Sequence, residues 1–159
     1  MQYLDILIKL RKVIRSINLE SKKIEKQFGV SIPQLLILQY LSGKEDYRAT
    51  ATEIRKFINL NASTVSGVIY RLEKKGLVAR VPSPNDRRAS YVTLTAKAAD
   101  LLKNSPTTLQ EKISKRLKQL SSNEIESLAR NIDLLIEIMD AEDIDAAPLI
   151  TNADMSENN

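Results

Sequence analysis

Residues 61–76 read Asn61-Ala62-Ser63-Thr64-Val65-Ser66-Gly67-Val68-Ile69-Tyr70-Arg71-Leu72-Glu73-Lys74-Lys75-Gly76. At about 100° per residue, Val65, Val68, Ile69 and Leu72 share one side, so the stretch predicts an amphipathic helix packed on a core. Asn61 is placed to cap its start and Gly76 to close its end. The opposite side gathers Ser63, Ser66, Gly67, Tyr70, Arg71 and Lys74. It is small and polar toward the N-terminus, cationic and aromatic toward the C-terminus. A helix entering the major groove of a duplex needs that taper, because short polar groups reach base edges while long basic chains reach phosphates. Gly67 in mid-helix costs roughly 1 kcal/mol relative to Ala. Two readings of it stand side by side: close approach of the backbone to a nucleic acid, or tolerance of glycine at an exposed position. Tyr70 likewise reads as a phosphate donor or as a plain surface residue.

Upstream, Thr50-Ala51-Thr52-Glu53 fits a capping box that opens a short helix to about Phe57. Asn59 supplies a turn residue that tolerates positive φ. Two helices joined by so few residues make a helix-turn-helix. Before them, Ser31 and Pro33 start a strongly apolar, and therefore buried, helix from Ile32 to Leu41 that Gly43 ends; Lys44 to Ala49 reads as a polar connection. Residues 3–28 set Leu4, Leu7, Ile8, Leu10, Ile14, Ile17, Ile24 and Phe28 at mostly helical spacing, with Gly29 as the stop.

Downstream, Leu77 to Val81 and Ala89 to Leu94 predict a two-stranded hairpin around a loop that carries Asp86, Arg87 and Arg88. Arginines at such a tip can reach a neighbouring minor groove, whose narrow A·T-rich stretches attract them. Asp86 is expected to order a guanidinium by a charge-assisted hydrogen bond. Thr95 caps a long helix through about Gln119, with a kink or break expected near Asn104-Ser105 because of Pro106. Ser121-Ser122-Asn123-Glu124 is a second capping box. It opens a helix with Ile125, Leu128, Ile132, Leu135, Ile136 and Met139 on one stripe. That stripe is either an intrachain core or a dimer interface; the interface, joined by Leu4, Leu7 and Ile8, is favoured because the small β unit offers little to bury it. From about Asp143 the chain is acidic and is expected to be a disordered tail.

The chain has 159 residues, enough for one domain with appended helices. It contains no Cys and no His, which removes thiol nucleophiles, disulfides, His-based acid–base catalysis and Cys/His zinc sites. No cofactor or metal is expected. No apolar run reaches the ~18 residues of a membrane span, and the start lacks a signal-peptide layout, so a cytoplasmic protein is expected. Charge is segregated: residues 1–118 hold 23 Lys and Arg against 10 Asp and Glu, while residues 119–159 hold 1 against 10. A basic body with an acidic end is the footprint of a polyanion binder, with solvated helix faces as the plainer reading. Between Ala49 and Thr95, 8 basic residues face 3 acidic ones, so helix-turn-helix and hairpin follow each other directly within the basic part.

The stretch Thr50 to Thr95 resembles the winged helix-turn-helix of MarR-type bacterial transcription regulators. The resemblance lies in Asn61-Ala62-Ser63-Thr64-Val65-Ser66, in Arg71-Leu72-Glu73-Lys74-Lys75-Gly76-Leu77-Val78, in Asp86-Arg87-Arg88 and in Val92-Thr93-Leu94-Thr95. Flanking long helices extend it to about residue 142. It implies a mainly α fold with a small β-hairpin: residues 1–30 and 96–142 form a helical dimerisation region, 31–95 the winged domain and 143–159 the tail. It implies a homodimeric repressor that binds an inverted-repeat operator in double-stranded DNA. Base edges would be met by Ala62, Ser63, Thr64, Ser66 and Gly67, the minor groove by Arg88 or Arg87 held by Asp86, and phosphates by Arg71 and Lys74. A ligand-responsive repressor of this type takes a small aromatic or anionic effector among helices 1, 2 and 5, where Arg15, Phe28 and Tyr40 are candidate liners. Asn59 in place of the usual turn glycine, and Ala62 and Gly67 in place of long polar residues, depart from the pattern and shift weight toward the wing and DNA shape. The rival classes are an enzyme, which the absence of His, phosphate loop and nucleophile elbow disfavours, and a winged-helix protein–protein module without specific DNA binding.

Overall fold

The computed structural model describes residues 1–104, 109–144 and 146. Its elements run α1 (Gln2–Phe28), α2 (Ile32–Ser42), β1 (Arg48–Thr50), α3 (Ala51–Ile58), α4 (Ala62–Lys74), β2 (Val78–Pro82), β3 (Ser90–Leu94), α5 (Ala96–Lys103), α6 (Leu109–Leu117) and α7 (Ser122–Ile138). The fold is mainly α with a small antiparallel sheet, a winged helix-turn-helix flanked by long helices.

The core sits between α2, α3, α4 and the sheet. Helix α2 is apolar all round and buries Leu35, Leu36, Ile37, Leu38, Tyr40 and Leu41, as a helix without a polar face must. Against it pack Ile54 and Ile58 of α3, Val65, Val68, Ile69 and Leu72 of α4, and Val92 of β3. Tyr40 stacks on Phe57 with ring centroids 4.2 Å apart. Phe28 packs partly buried against the same cluster.

The sheet has three strands, in the order β1-β3-β2, where the sequence suggests two. Arg48, Ala49 and Thr50 pair antiparallel with Thr93, Val92 and Tyr91, so the end of the apparent polar connection is a strand. A run of three residues is too short to show alternation, and its one buried side chain, Ala49, is small. Arg48 also lies over the Tyr91 ring at 4.6 Å. The hairpin pairs Val78 with Leu94 and Pro82 with Ser90.

The expected break after Thr95 occurs: α5 ends at Lys103 with Asn104 as its cap, and α6 starts at Leu109. Pro106 lies outside the described residues, as do residue 145 and residues 147–159, which make up most of the acidic tail. Helices α1 and α7 stand largely clear of this core. Ile24 is the one residue of α1 that is buried, and α7 buries none. No helix among the described residues is long and apolar enough to cross a membrane.

Candidate nucleic-acid interface

The turn between α3 and α4 is set by two asparagines. Asn59 adopts the left-handed conformation, φ 51° and ψ 43°, which Asn accepts at lower cost than bulkier residues. Asn61 then caps α4, its Oδ1 accepting from the Thr64 backbone N–H at 2.9 Å and from Ser63 Oγ at 2.8 Å. With its cap satisfied inside the chain, α4 starts cleanly and turns Ala62, Ser63, Thr64 and Ser66 to solvent. Asn61 Oδ1 is therefore engaged in shaping the helix end, while the residue itself stays exposed.

Further along the same face, Tyr70 is 56% exposed and Lys74 Nζ sits 5.4 Å from its ring centroid, a cation–π pair at (i, i+4) spacing. Arg71 folds back over Gly67: a β-carbon at Gly67 would lie 3.4 Å from Arg71 Nη1. The glycine thus leaves room for a guanidinium along the helix. The far end closes through Gly76, φ 68°, with the Leu77 N–H donating to the Leu72 carbonyl at 3.0 Å and the Gly76 N–H to that of Glu73 at 2.9 Å. Arg80 Nε bonds Glu73 Oε2 at 3.1 Å and ties α4 to β2.

Residues 83–89 form the exposed end of the hairpin. The Asp86 carboxylate accepts from the Arg88 backbone N–H at 2.8 Å, and the Ala89 N–H donates to the Asp86 carbonyl at 3.1 Å. Asp86 accordingly shapes the turn through the backbone; among the described residues it forms no ion pair with either arginine, contrary to the expectation from sequence. A short Asp side chain reaches a backbone N–H two residues on more readily than a long side chain's head group. Arg87 and Arg88 are exposed.

A cleft of about 490 Å³ opens beside the turn, lined by Thr52, Arg55, Lys56, Asn59, Leu60 and Asn61. Its two cations, Arg55 and Lys56, are absent from the set expected from sequence; their place in the last turn of α3 was the signal available. Glu53, at the head of α3, is held below its ordinary value of 4.5, chiefly because the Thr50 backbone N–H donates to it at 2.7 Å. Among the described residues, the suggested effector liners Arg15 and Tyr40 stand in different surroundings. Arg15 lines an open groove of about 520 Å³ with Arg11, Ile14, Asn18, Leu19 and Lys22, all of α1, whereas Tyr40 is buried in the core.

An exposed, tapered helix following a tight turn, beside a ribbon tipped with two arginines, defines a winged-helix nucleic-acid reader. The comparisons agree. The MarR family profile matches residues 28–89. The HTH-type transcriptional regulator MhqR of Bacillus subtilis is 29% identical over 123 residues, 77% of this chain and 83% of its own. The uncharacterized HTH-type transcriptional regulator ML2140 of Mycobacterium leprae is 31% identical over 114 residues, 72% of this chain and 78% of its own. Among solved structures, the MepR–DNA complex of S. aureus superposes with a TM-score of 0.62 at 23% identity, over 82% of this chain and 95% of that one. The chain belongs to the MarR family.

Proposed function

We propose that this chain reads double-stranded DNA as a homodimer and regulates transcription from an inverted-repeat operator. As a MarR family member it is a DNA-binding transcriptional regulator; the proposal concerns how its residues do the work. The observation that carries it is the pairing of one exposed helix face with one exposed wing. Ala62, Ser63, Thr64, Ser66 and Gly67 lie near the N-terminal end of α4, where short side chains let the backbone approach base edges. Tyr70, Arg71 and Lys74 follow toward phosphates, Arg55 and Lys56 flank them, and Arg87 and Arg88 extend toward the adjacent minor groove.

The dimer reading is supported by apolar side chains that a single copy leaves in water. Leu4, Leu7 and Ile8 on α1, Ile125, Leu128, Ile132 and Ile136 on α7, and Met139 at its C-cap, are exposed, and Leu135 is half-buried. Two copies that cover these faces would hold their α4 helices roughly 34–36 Å apart, one duplex turn. Repression in the cytoplasm, relieved by a small aromatic or anionic effector, completes the reading. The protein-interaction alternative has no observation of its own in its favour.

Selection from a random duplex library with the purified protein tests this function. Enriched fragments should share an inverted repeat whose half-sites are one helical turn apart, and recovery of fragments without any common motif would contradict it.

A further inference from the structure

The C-terminal end of α4 is tied into a knot of polar contacts where α1 meets the reader. Gly29 ends α1 in the left-handed conformation, φ 66°, and its carbonyl accepts from Lys75 Nζ at 2.6 Å. The same ammonium donates to Gln34 Oε1 at 2.9 Å. Gln34 is only 3% exposed, and its Oε1 also accepts from the Ser31 backbone N–H at 3.1 Å within the capping box of α2. On the other side, Lys97 Nζ donates to the Lys75 carbonyl at 2.7 Å and Thr95 Oγ1 to the Gly76 carbonyl at 2.8 Å. One side chain joins the ends of α1, α2 and α4, while α5 and its cap hold the backbone beneath it.

Two consequences follow from this geometry. The Lys75 side chain is exposed, but its ammonium already donates to the Gly29 carbonyl and to Gln34 Oε1, which holds it at this joint and not extended toward a phosphate, although Lys75 adjoins Lys74 in a basic run. The knot also sits at the base of a lever. Helix α1 has 27 residues, about 40 Å, and its tie to the reader lies at Ile24 to Gly29; Glu20 Oε1 accepts from the Leu109 N–H at 2.8 Å and ties it to α6 instead. A rotation of about 10° at Gly29 would carry the far end of α1 by about 7 Å, or roughly two base-pair steps.

We propose that Lys75 is a positioning residue for DNA reading and not a phosphate contact: it fixes α4 relative to α1, and through α1 the spacing of the two recognition helices in a dimer. This rests on the DNA-reading function proposed above. Because the chain has no Cys, Lys23→Cys on α1 and Ser66→Cys on α4 accept spin labels at defined places. Doubly labelled chains diluted into unlabelled protein report the intrachain α1–α4 distance without DNA. The distribution should be narrow with Lys75 present and at least about twofold broader in Lys75→Met; equal widths would overturn the proposal. In anisotropy titrations, Lys75→Met should lose about tenfold in affinity for the selected operator, the scale of one charged hydrogen bond. It should keep the wild-type salt slope and lose discrimination against an operator whose half-sites are shifted by one base pair. A salt slope reduced by about one would make Lys75 a phosphate contact and overturn the proposal. Should Lys75→Met not fold, Lys75→Gln, whose shorter amide cannot span both acceptors, takes its place under the same criteria. If the unmodified protein binds no duplex, the DNA-reading function falls, while the label distances still decide whether Lys75 sets the joint.

Discussion

Gly67 leaves a gap on the outer face of α4 that the Arg71 guanidinium fills. Because that neighbour is the far end of a flexible side chain, Gly67→Ala should fit and gain helix propensity, raising stability by about 0.5–1 kcal/mol in a thermal melt. Gly67→Leu should instead hold the helix off the bases and abolish operator binding by anisotropy; unchanged affinity would mean that this face does not meet DNA. Arg88→Ala, with Arg87→Ala beside it, should weaken duplex binding and lower the salt slope by about one each, with the dimer intact by sedimentation. At this scale the sequence was only partly legible. The outward set from Ser63 to Lys74 follows from helical periodicity alone. The Asp86 bond to the Arg88 N–H and the Lys75 bonds to Gly29 and Gln34 do not, since one depends on local turn geometry and the other on groups more than 40 residues away.

Helices α3 and α7 open with capping boxes that the motifs Thr50-Ala51-Thr52-Glu53 and Ser121-Ser122-Asn123-Glu124 announce, because the reciprocal bonds need only a spacing of three. Strand β1 was hidden for the opposite reason: its pairing with β3 is long-range and its own pattern spans three residues. Both capping carboxylates, Glu53 and Glu124, are held below 4.5, Glu53 foremost by the Thr50 backbone N–H and Glu124 foremost by the Ser121 hydroxyl. A carboxylate whose folded value is depressed adds stability above its unfolded value and loses it as pH falls through the folded one. Chemical denaturation should therefore show stability declining as pH drops below about 4.5, and Glu53→Gln should shallow that decline. An identical acid limb in the variant would contradict the capping role.

Across the whole molecule, the charge asymmetry and the apolar stripes of α1 and α7 were visible in the sequence, but what covers those stripes was not, since a single chain carries no record of its partner. In the structure Ile132 is 47% and Leu128 40% exposed, so both remain available to a second copy. Ile132→Glu should place a charge in that interface, shift sedimentation at micromolar concentration to monomer and remove operator binding with it. A variant that stays dimeric would move the interface elsewhere. The central claim is that α4 and the wing together grip a duplex through several phosphates and its base edges. Fluorescence anisotropy of the selected operator and of a random duplex, titrated at two salt concentrations, tests it most directly. Binding should be tighter to the operator, and affinity for both duplexes should fall steeply with salt. Affinity indifferent to salt, or no binding to any duplex at low ionic strength, would contradict it.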